Sequence, residues 1–377
     1  MKAIFTGDWH LNSSMPYGVV NDKTGLNSRF EDVLKSAEYL LKYASQNDIS
    51  VVYFLGDAFK SRLPNSVEQR EFARLLMKAH SYGITIYAIA GNHDDTNSTW
   101  GATSFDALDL LRVPSFHVIA EPSAQQWPDL YIVRIPWTSN RFLIKDKKKW
   151  MRETISNVMT TTPPRAGIRV LILHETIQGS KTEGYQFTST EEFSDKDLWA
   201  DRFDYVISGH IHRYQKIEPN IYYTGSVDRV DFGERKDPKG FLVLDSIKKT
   251  LDFIKIPTRD FQEIKFSLSS GISTQEIIDE FNFYNIKNKV LKIIIKGHSQ
   301  DIHKLDSLGL RAAFSQNNLL SGVEFDVIRE FEQRISEMKT ELSYPEMLRL
   351  YLQQKTLTAV QLDDIYHKGL KILGSVV

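Results

Sequence analysis

Across its first two-thirds the chain alternates short β-rich runs with amphipathic helical patterns, and this alternation limits the fold more than any other feature. "KAIF" (2–5), "VVYFL" (51–55) and "ITIYAIA" (84–90) read as strands, the second of them buried. Between the first two lies "NSRFEDVLKSAEYLLKYASQ", which puts Phe30, Val33, Leu34, Ala37, Leu40, Leu41 and Ala44 on one stripe, with Ser28 and Glu31 as a capping box. "SVEQREFARLLMKAHSYG" predicts a second helix, boxed by Ser66 and Gln69 and stopped at Gly83. Further strands are expected at 116–119, 131–135, 169–173, 205–207, 222–224, 241–244 and 253–256, and helices over about 146–160 and 194–203. The pattern is that of a layered α/β domain with many strands.

After Pro257 the texture changes. "FQEIKFSL", "STQEIIDEFNFY" and "KVLKIIIKG" give strand, helix and strand, a second and smaller unit. The tail holds two short amphipathic helices: Pro345 opens one, and Thr358 with Gln361 boxes the other. Met347, Leu348, Tyr351 and Leu352, then Leu362, Ile365, Tyr366 and Leu370, form their apolar faces. Such helices either dock on their own domain or bind a partner. A length of 377 residues suits two or three domains, divided here as 1–257, 258–335 and 336–377.

Composition then narrows the chemistry. No cysteine is present, so disulfides and thiolate metal sites are excluded and any metal takes nitrogen and oxygen ligands. The formal charge of −1 neither favours nor excludes nucleic acid, because a local basic cleft can sit within a neutral total. No apolar run nears the roughly 18 residues of a membrane span, and "MKAIFTGDWH" is too short and too polar for a signal segment. The expectation is a soluble intracellular protein.

The informative residues are the polar ones that stop the strands. "FTGDWH" ends in Asp8 and His10, "YFLGDAF" in Asp57, "YAIAGNHDD" in Asn92, His93 and Asp94, "LILHETI" in His174, and "VISGHIH" in His210 and His212. In extended backbone Asp8 and His10 would share a face, as would His210 and His212. Glycine precedes four of the five sets and allows a sharp turn there. Taken singly, each is ordinary turn chemistry or a satisfied core histidine. Together they place five of the ten histidines at successive strand ends, where loops build sites. Imidazole, carboxylate and amide oxygen suit Mn, Fe, Zn or Ni, and seven such groups exceed the needs of one ion. Two ions about 3.5–4 Å apart, bridged by a carboxylate, would lower the pKa of a water and clamp both oxygens of a phosphoryl displacement.

The ordered set Asp8/His10, Gly56-Asp57, Gly91-Asn92-His93-Asp94, His174 and Gly209-His210-Ile211-His212 resembles the calcineurin-like metallophosphoesterases. "IYYTGSVDRVDFGERKDPKGFLVLD" (221–245), through Arg229, Asp231, Phe232, Glu234 and Lys239, resembles the SbcD-type (meiotic-recombination-eleven-type) DNA repair nucleases, and "IPTRDF" (256–261) fits their cap boundary. The resemblance implies a four-layer metallophosphoesterase β-sandwich flanked by helices, a small α/β DNA-capping domain at 258–335 and a helical tail. It implies two divalent ions, Mn2+ before Mg2+. One would be held by Asp8, His10, Asp57 and His212, the other by Asp57, Asn92, His174 and His210. His93 would donate a proton to the leaving oxygen, supported by Asp94. Lys60 stands where the cellular nucleases commonly carry a phosphate-orienting histidine, so the balance of exonuclease and endonuclease action is expected to differ.

The implied substrates are DNA ends and single strands, with Lys60 and Arg229 as substrate contacts. The implied partners are an SbcC-type coiled-coil ATPase, bound by the C-terminal helices, and a second copy of the chain. Helices near 66–82 and 103–112 would form the homodimer, with Leu75, Leu76, Leu108 and Leu111 either there or facing the sheet. The compact length suits a bacteriophage member, working in the host cytoplasm. "KDKKKW" (145–150) is either a DNA path or a solvated lysine face, and loop 175–193 either borders the substrate or is plain loop. The rival reading is another calcineurin-like phosphatase, acting on phosphoprotein or small phosphoesters.

Overall fold

The computed structural model describes residues 1–15, 17–96, 102–137, 144–165, 167–181, 192–268, 272–284, 286–316, 319–328, 343–353 and 359–373. Two six-stranded sheets carry the first part of the chain. One contains β1 (Lys2–Thr6), β2 (Val51–Phe54), β3 (Thr85–Ile89), β4 (Phe116–Ile119), β11 (Gly240–Asp245) and β12 (Thr250–Lys255), in the order β12-β11-β1-β2-β3-β4. The other contains β5 (Ser123–Gln126), β6 (Leu130–Arg134), β7 (Ile168–His174), β8 (Tyr205–Gly209), β9 (Gln215–Glu218) and β10 (Ile221–Tyr223), in the order β5-β6-β7-β8-β10-β9. Strands β1 to β4 run parallel, as do β6, β7, β8 and β10.

Period-two alternation sorts these strands into layers. Ala3, Phe5, Val51, Tyr53 and Leu55 face Leu130, Ile132, Val170, Ile172 and Ile207 between the sheets. Their neighbours Ile4, Val52 and Phe54 face outward, against α1 (Ser28–Gln46) and α2 (Ser66–Ser81). On the far side, Val133, Ile135, Leu171 and Leu173 pack on Met151, Ile155 and Val158 of α4 (Lys147–Thr161). The short α3 (Asp106–Leu110) precedes β4. Helix, sheet, sheet and helix make the four layers, and each fully buried Leu, Ile or Phe contributes about 1.5–3 kcal/mol.

Several local expectations shift. The caps lie one residue earlier than the predicted boxes: Asn27 accepts from Arg29 N, and Asn65 forms a reciprocal box with Glu68. Asparagine in extended backbone outcompetes the serine that follows it. Ser28 Oγ instead accepts from Val19 N, and Glu31 accepts from Asn21 and Thr24. The helix expected over 194–203 is a run of turns ending in one 3-10 turn at Ala200–Arg202. There the Asp197 carboxylate accepts from Ser194 N and Oγ, and Trp199 is left-handed at φ 49°. Strands β5 and β9 were not anticipated, because "SAQQ" and "QKIE" are antiparallel, polar sheet edges.

A third, parallel sheet joins β13 (Phe261–Ser267), β14 (Val290–His298) and β15 (Leu319–Ile328). Helices α5 (Thr274–Phe281) and α7 (Ser307–Ser315) cover it through Ile277, Phe281, Leu310 and Phe314, while α6 (Ser299–Ile302) is a single turn. The tail helices α8 (Tyr344–Gln353) and α9 (Ala359–Leu373) lie against each other, so closely that a Cβ on Gly369 would meet Leu348 Cδ2 at 2.5 Å. The box expected at Thr358 lies outside the described residues. Among the described residues, no helix is long and apolar enough to cross a membrane.

A buried ionic lattice fastens the start of the third sheet to α1. Arg29, fully buried, donates to Asp32 at 2.6 Å and to Asp228 at 3.0 Å. Arg259 grips the same Asp32 with two bonds of 2.6 and 3.0 Å.

Candidate metal centre

The loops after β1, β2 and β3 of the first sheet meet those after β7 and β8 of the second. They do not meet as continued strands. Asp8 (φ 53°), His10 (φ 45°), Asp57 (φ 57°) and His210 (φ 86°) are all left-handed, so the extended spacing expected to align Asp8 with His10 and His210 with His212 is corrected. Non-glycine residues in this region cost about 1–3 kcal/mol each and persist where surrounding contacts overdetermine them. Here Asp8 N donates to Gly56 O, His10 N to Asp57 O, and His210 N to the Asp8 carboxylate. A side chain on Gly56 (φ 90°) would come within 2.5 Å of Gly91 N, so only glycine lets the β2 and β3 loops touch.

All seven expected metal ligands converge. Asp57 Oδ2 lies 3.5 Å from His10 Nε2 and 3.5 Å from His174 Nε2. His10 Nε2 and His212 Nε2 face each other at 2.8 Å. Asn92 Oδ1 stands 3.0 Å from His174 Nε2 and 2.9 Å from His210 Nδ1. Three groups, Asp8/His10/His212, Asp8/Asp57/His174 and His10/Asp57/His93, each bring their donor atoms within 4.8 Å of one another. Asp8, His10 and Asp57 each belong to two of them, and Asp57 Oδ2 reaches both the His10 and the His174 rings. Ring nitrogens aimed at one another and at carboxylate oxygens fit cations of borderline hardness. His10 Nδ1 is buried and has no hydrogen-bond partner among the described residues, so that ring's contacts run through Nε2.

The electrostatics are those of crowded, desolvated charges. Burial pushes the Asp8 carboxyl up to about 6, against the pull of His174 and His212. Burial also acts on Asp57, but the His174 and His10 rings outweigh it and hold that carboxyl well below the usual range. Burial pulls His10 far down, and takes His210 to about 3 with His174 adding to the effect. His174 is raised to about 10 despite burial, because Asp57 stands against it.

Supporting contacts fix the rings. His174 Nδ1 meets Leu55 O at 2.6 Å, which turns Nε2 inward. His212 Nδ1 meets Glu234 Oε1 at 2.7 Å, and Lys239 Nζ donates to the other oxygen of that carboxylate at 2.7 Å. Asp94 supports the loops rather than the His93 ring. It is fully buried and accepts from Asp57 N, Ala58 N, Gly91 N and Ser104 Oγ, while burial lifts its carboxyl to about 7. His93 is half-buried, its Nδ1 meets Lys60 O at 2.7 Å, and its pKa lies below the ordinary value because burial outweighs Asp57.

The remaining expectations separate. Lys60 is exposed beside His93, and Arg62 donates to Asn92 O. Arg229 is corrected from substrate contact to internal brace: four hydrogen bonds tie its guanidinium to Thr258 and to the carbonyls of Arg235, Asp237 and Arg259. Leu75 and Leu76 are core and Leu108 packs half-buried against it, whereas Leu111, with its neighbour Leu110, is exposed, at 77% and 82%. Lys147–Lys149 form the first turn of α4, and residues 182–191 of the polar loop lie outside the described residues. Glu234, the support of the His212 ring, lies within 221–245 but carries no signal of that role in the sequence, and Trp137 follows Pro136 with no motif around it.

Residues 1–214, more than half of the chain, match the calcineurin-like phosphoesterases, and the chain belongs to that family. Its site is a dimetal phosphoesterase centre and its chemistry is hydrolytic. Similar solved structures include a dimetal phosphatase from Danio rerio, with 8% identity and a TM-score of 0.39 over 64% of this chain and 91% of that one. Another is the cold-active protein-tyrosine phosphatase of a psychrophilic Shewanella, with 12% identity and a TM-score of 0.28 over 67% of this chain and 80% of that one.

Proposed function

We propose that the protein is a Mn2+-dependent DNA nuclease, the hydrolytic subunit of a recombination and double-strand-break repair complex that cuts DNA ends and single strands. The observation that carries this reading is the basic rim directly on the metal centre. The Lys60 side chain is exposed beside His93, and the Arg62 guanidinium lies on the backbone of Asn92. Cationic groups at such a rim attract a polyanionic backbone. The Arg229–Lys239 stretch, which braces both His212 and the third sheet, is the part of the chain most like the SbcD-type nucleases.

Two bound ions would lower the pKa of a water and neutralise charge on the phosphoryl oxygens. Asp8, His10, Asp57 and His212 would hold one ion, and Asp57, Asn92, His174 and His210 the other. His93, tethered through Nδ1 to the Lys60 carbonyl, keeps Nε2 for the leaving oxygen and delivers a proton there. An approaching phosphodiester adds negative charge beside the ring and counters the burial that lowers its pKa.

In the same reading, residues 1–257 are the nuclease domain, 258–335 cap the DNA, and 336–377 bind a coiled-coil ATPase through α8 and α9. A homodimer would use the exposed Leu110 and Leu111, and the protein would work in the cytoplasm. The test is cleavage of single- and double-stranded DNA with Mn2+, wild type beside His93→Ala. Cleavage by the variant should fall about 10²–10⁴-fold with metal binding retained. Hydrolysis of nitrophenyl phosphate or phosphoprotein, with none of DNA, would replace this reading with the phosphatase one.

A further inference from the structure

One aromatic ring beside the centre has no part in the chemistry above. Trp137 follows the end of β6, and its backbone N–H donates to Ala90 O at 2.9 Å, which pins it beside the loop that carries Asn92. Its indole lies on the His210 ring, with centroids 5.6 Å apart and planes 29° from parallel, and meets His174 edge-on at 6.1 Å. Both histidines face Asn92 Oδ1, so the indole borders one side of the centre. The ring is only half-buried. The ammonium of Lys147, itself half-buried, stands over the ring 5.8 Å from its centroid.

We propose that Trp137 is a stacking platform for the nucleobase next to the scissile phosphodiester, with Lys147 serving the neighbouring phosphate. The inference rests on the nuclease reading and names what that site holds: an unpaired nucleotide, read by its π-face and its charge rather than by its sequence. Every base offers such a face, so the platform tolerates any sequence and requires only that the base be out of a duplex. Lys147 opens a helix whose first turn carries Lys147, Lys148 and Lys149 and whose N-terminus is capped by Asp146, whose carboxylate accepts from Lys149 N at 2.9 Å. The Asp146 carboxylate complements that end of the helix dipole, so Lys147 serves the phosphate through its own charge beside the indole. The indole, its lysine and the metal ligands together define a track for single-stranded nucleic acid.

The experiment compares Mn2+-dependent cleavage of a single-stranded oligonucleotide with cleavage of the same oligomer made abasic around the cut site. Wild type should prefer the normal strand, and Trp137→Ala should bring the two KM values together by raising KM for the normal strand about 5- to 150-fold. Trp137→Phe, which keeps a ring, should restore part of the difference. A separate Mn2+ titration distinguishes stacking from support of His210. If Trp137→Ala lowers kcat equally on both substrates and weakens metal binding, the indole positions a ligand and the proposal is wrong. Equal KM values for the two substrates in wild type would also overturn it, while leaving the nuclease reading intact. If wild type cuts neither substrate but hydrolyses a phosphotyrosine peptide with a KM that depends on Trp137, the nuclease reading fails and the platform holds a phosphotyrosine ring instead.

Discussion

Glu234 holds the His212 ring from behind, and its own carboxylate is fixed by Lys239 Nζ at 2.7 Å and by Val230 N at 3.0 Å. Lys239 and His212 together keep its carboxyl well below the usual range despite burial, so it presents a full negative charge to the imidazole. Replacing it with glutamine should weaken Mn2+ binding about 10- to 100-fold in a calorimetric titration, and undiminished affinity would show that the ring is held by packing alone. The residues that converge were legible in the sequence, because Asp8, Asp57, Asn92 and His210 follow a glycine and His174 closes an apolar run, where a polar residue has no packing reason to be, with His10 and His212 two residues further on. Glu234 and Trp137 were not, since one sits in a 3-10 turn and the other in a loop, and neither position has a periodicity to stand out from. Asp94 was legible as a supporting residue, but what it supports was not. A buried carboxylate that accepts from three backbone amides organises loops, and nothing in the string "GNHDD" distinguishes that from holding an imidazole.

At the level of elements, α1 is tied to the start of the third sheet through Asp32, which is shared by Arg29 and Arg259. Burial raises the Asp32 carboxyl, but the two guanidinium groups outweigh it and leave the pKa below its ordinary value. A depressed carboxyl stabilises the fold above the unfolded-state pKa of about 3.9, and that contribution is lost as pH falls through the folded-state value. Asp32→Asn should therefore cost about 3 kcal/mol near neutral pH, and its melting temperature should approach that of wild type in acid. A gap that persists at low pH would assign the loss to packing instead of charge. Strands β1, β2 and β3 and helices α1 and α2 were legible, because apolar periodicity is strong in each. Caps were misplaced by one residue because Asn27 and Asn65 compete directly with Ser28 and Ser66 for the same amides. Strands β5 and β9 were invisible because a sheet edge needs no apolar alternation, and 194–203 was misread because Asp197 turns the backbone locally in a way no hydrophobic stripe reports.

For the whole molecule, α8 and α9 form a pair of amphipathic helices, each with a polar face. On the nuclease reading proposed above, removing residues 340–377 should abolish association with a coiled-coil ATPase while leaving basal Mn2+-dependent cleavage in place, measured by co-purification and by nuclease assay. Retained association would move the docking surface elsewhere. The larger organisation, two sheets back to back with helices outside, was legible from the alternation of runs, but no single run says which sheet it joins. That is settled by Phe5, Tyr53, Leu130 and Ile172 meeting across the interior. One outcome concerns synthesis. His10 and His212 are 202 residues apart in the chain, yet their ring nitrogens end 2.8 Å from each other. A ribosome adding about 5–20 residues per second takes roughly 10–40 s to cover that interval. Until it ends, the emerging polypeptide lacks His212, and the set of side chains around an ion is incomplete. Metal capture therefore waits until more than half of the chain has been made, and an ion held at full strength certifies that both sheets have been made and joined.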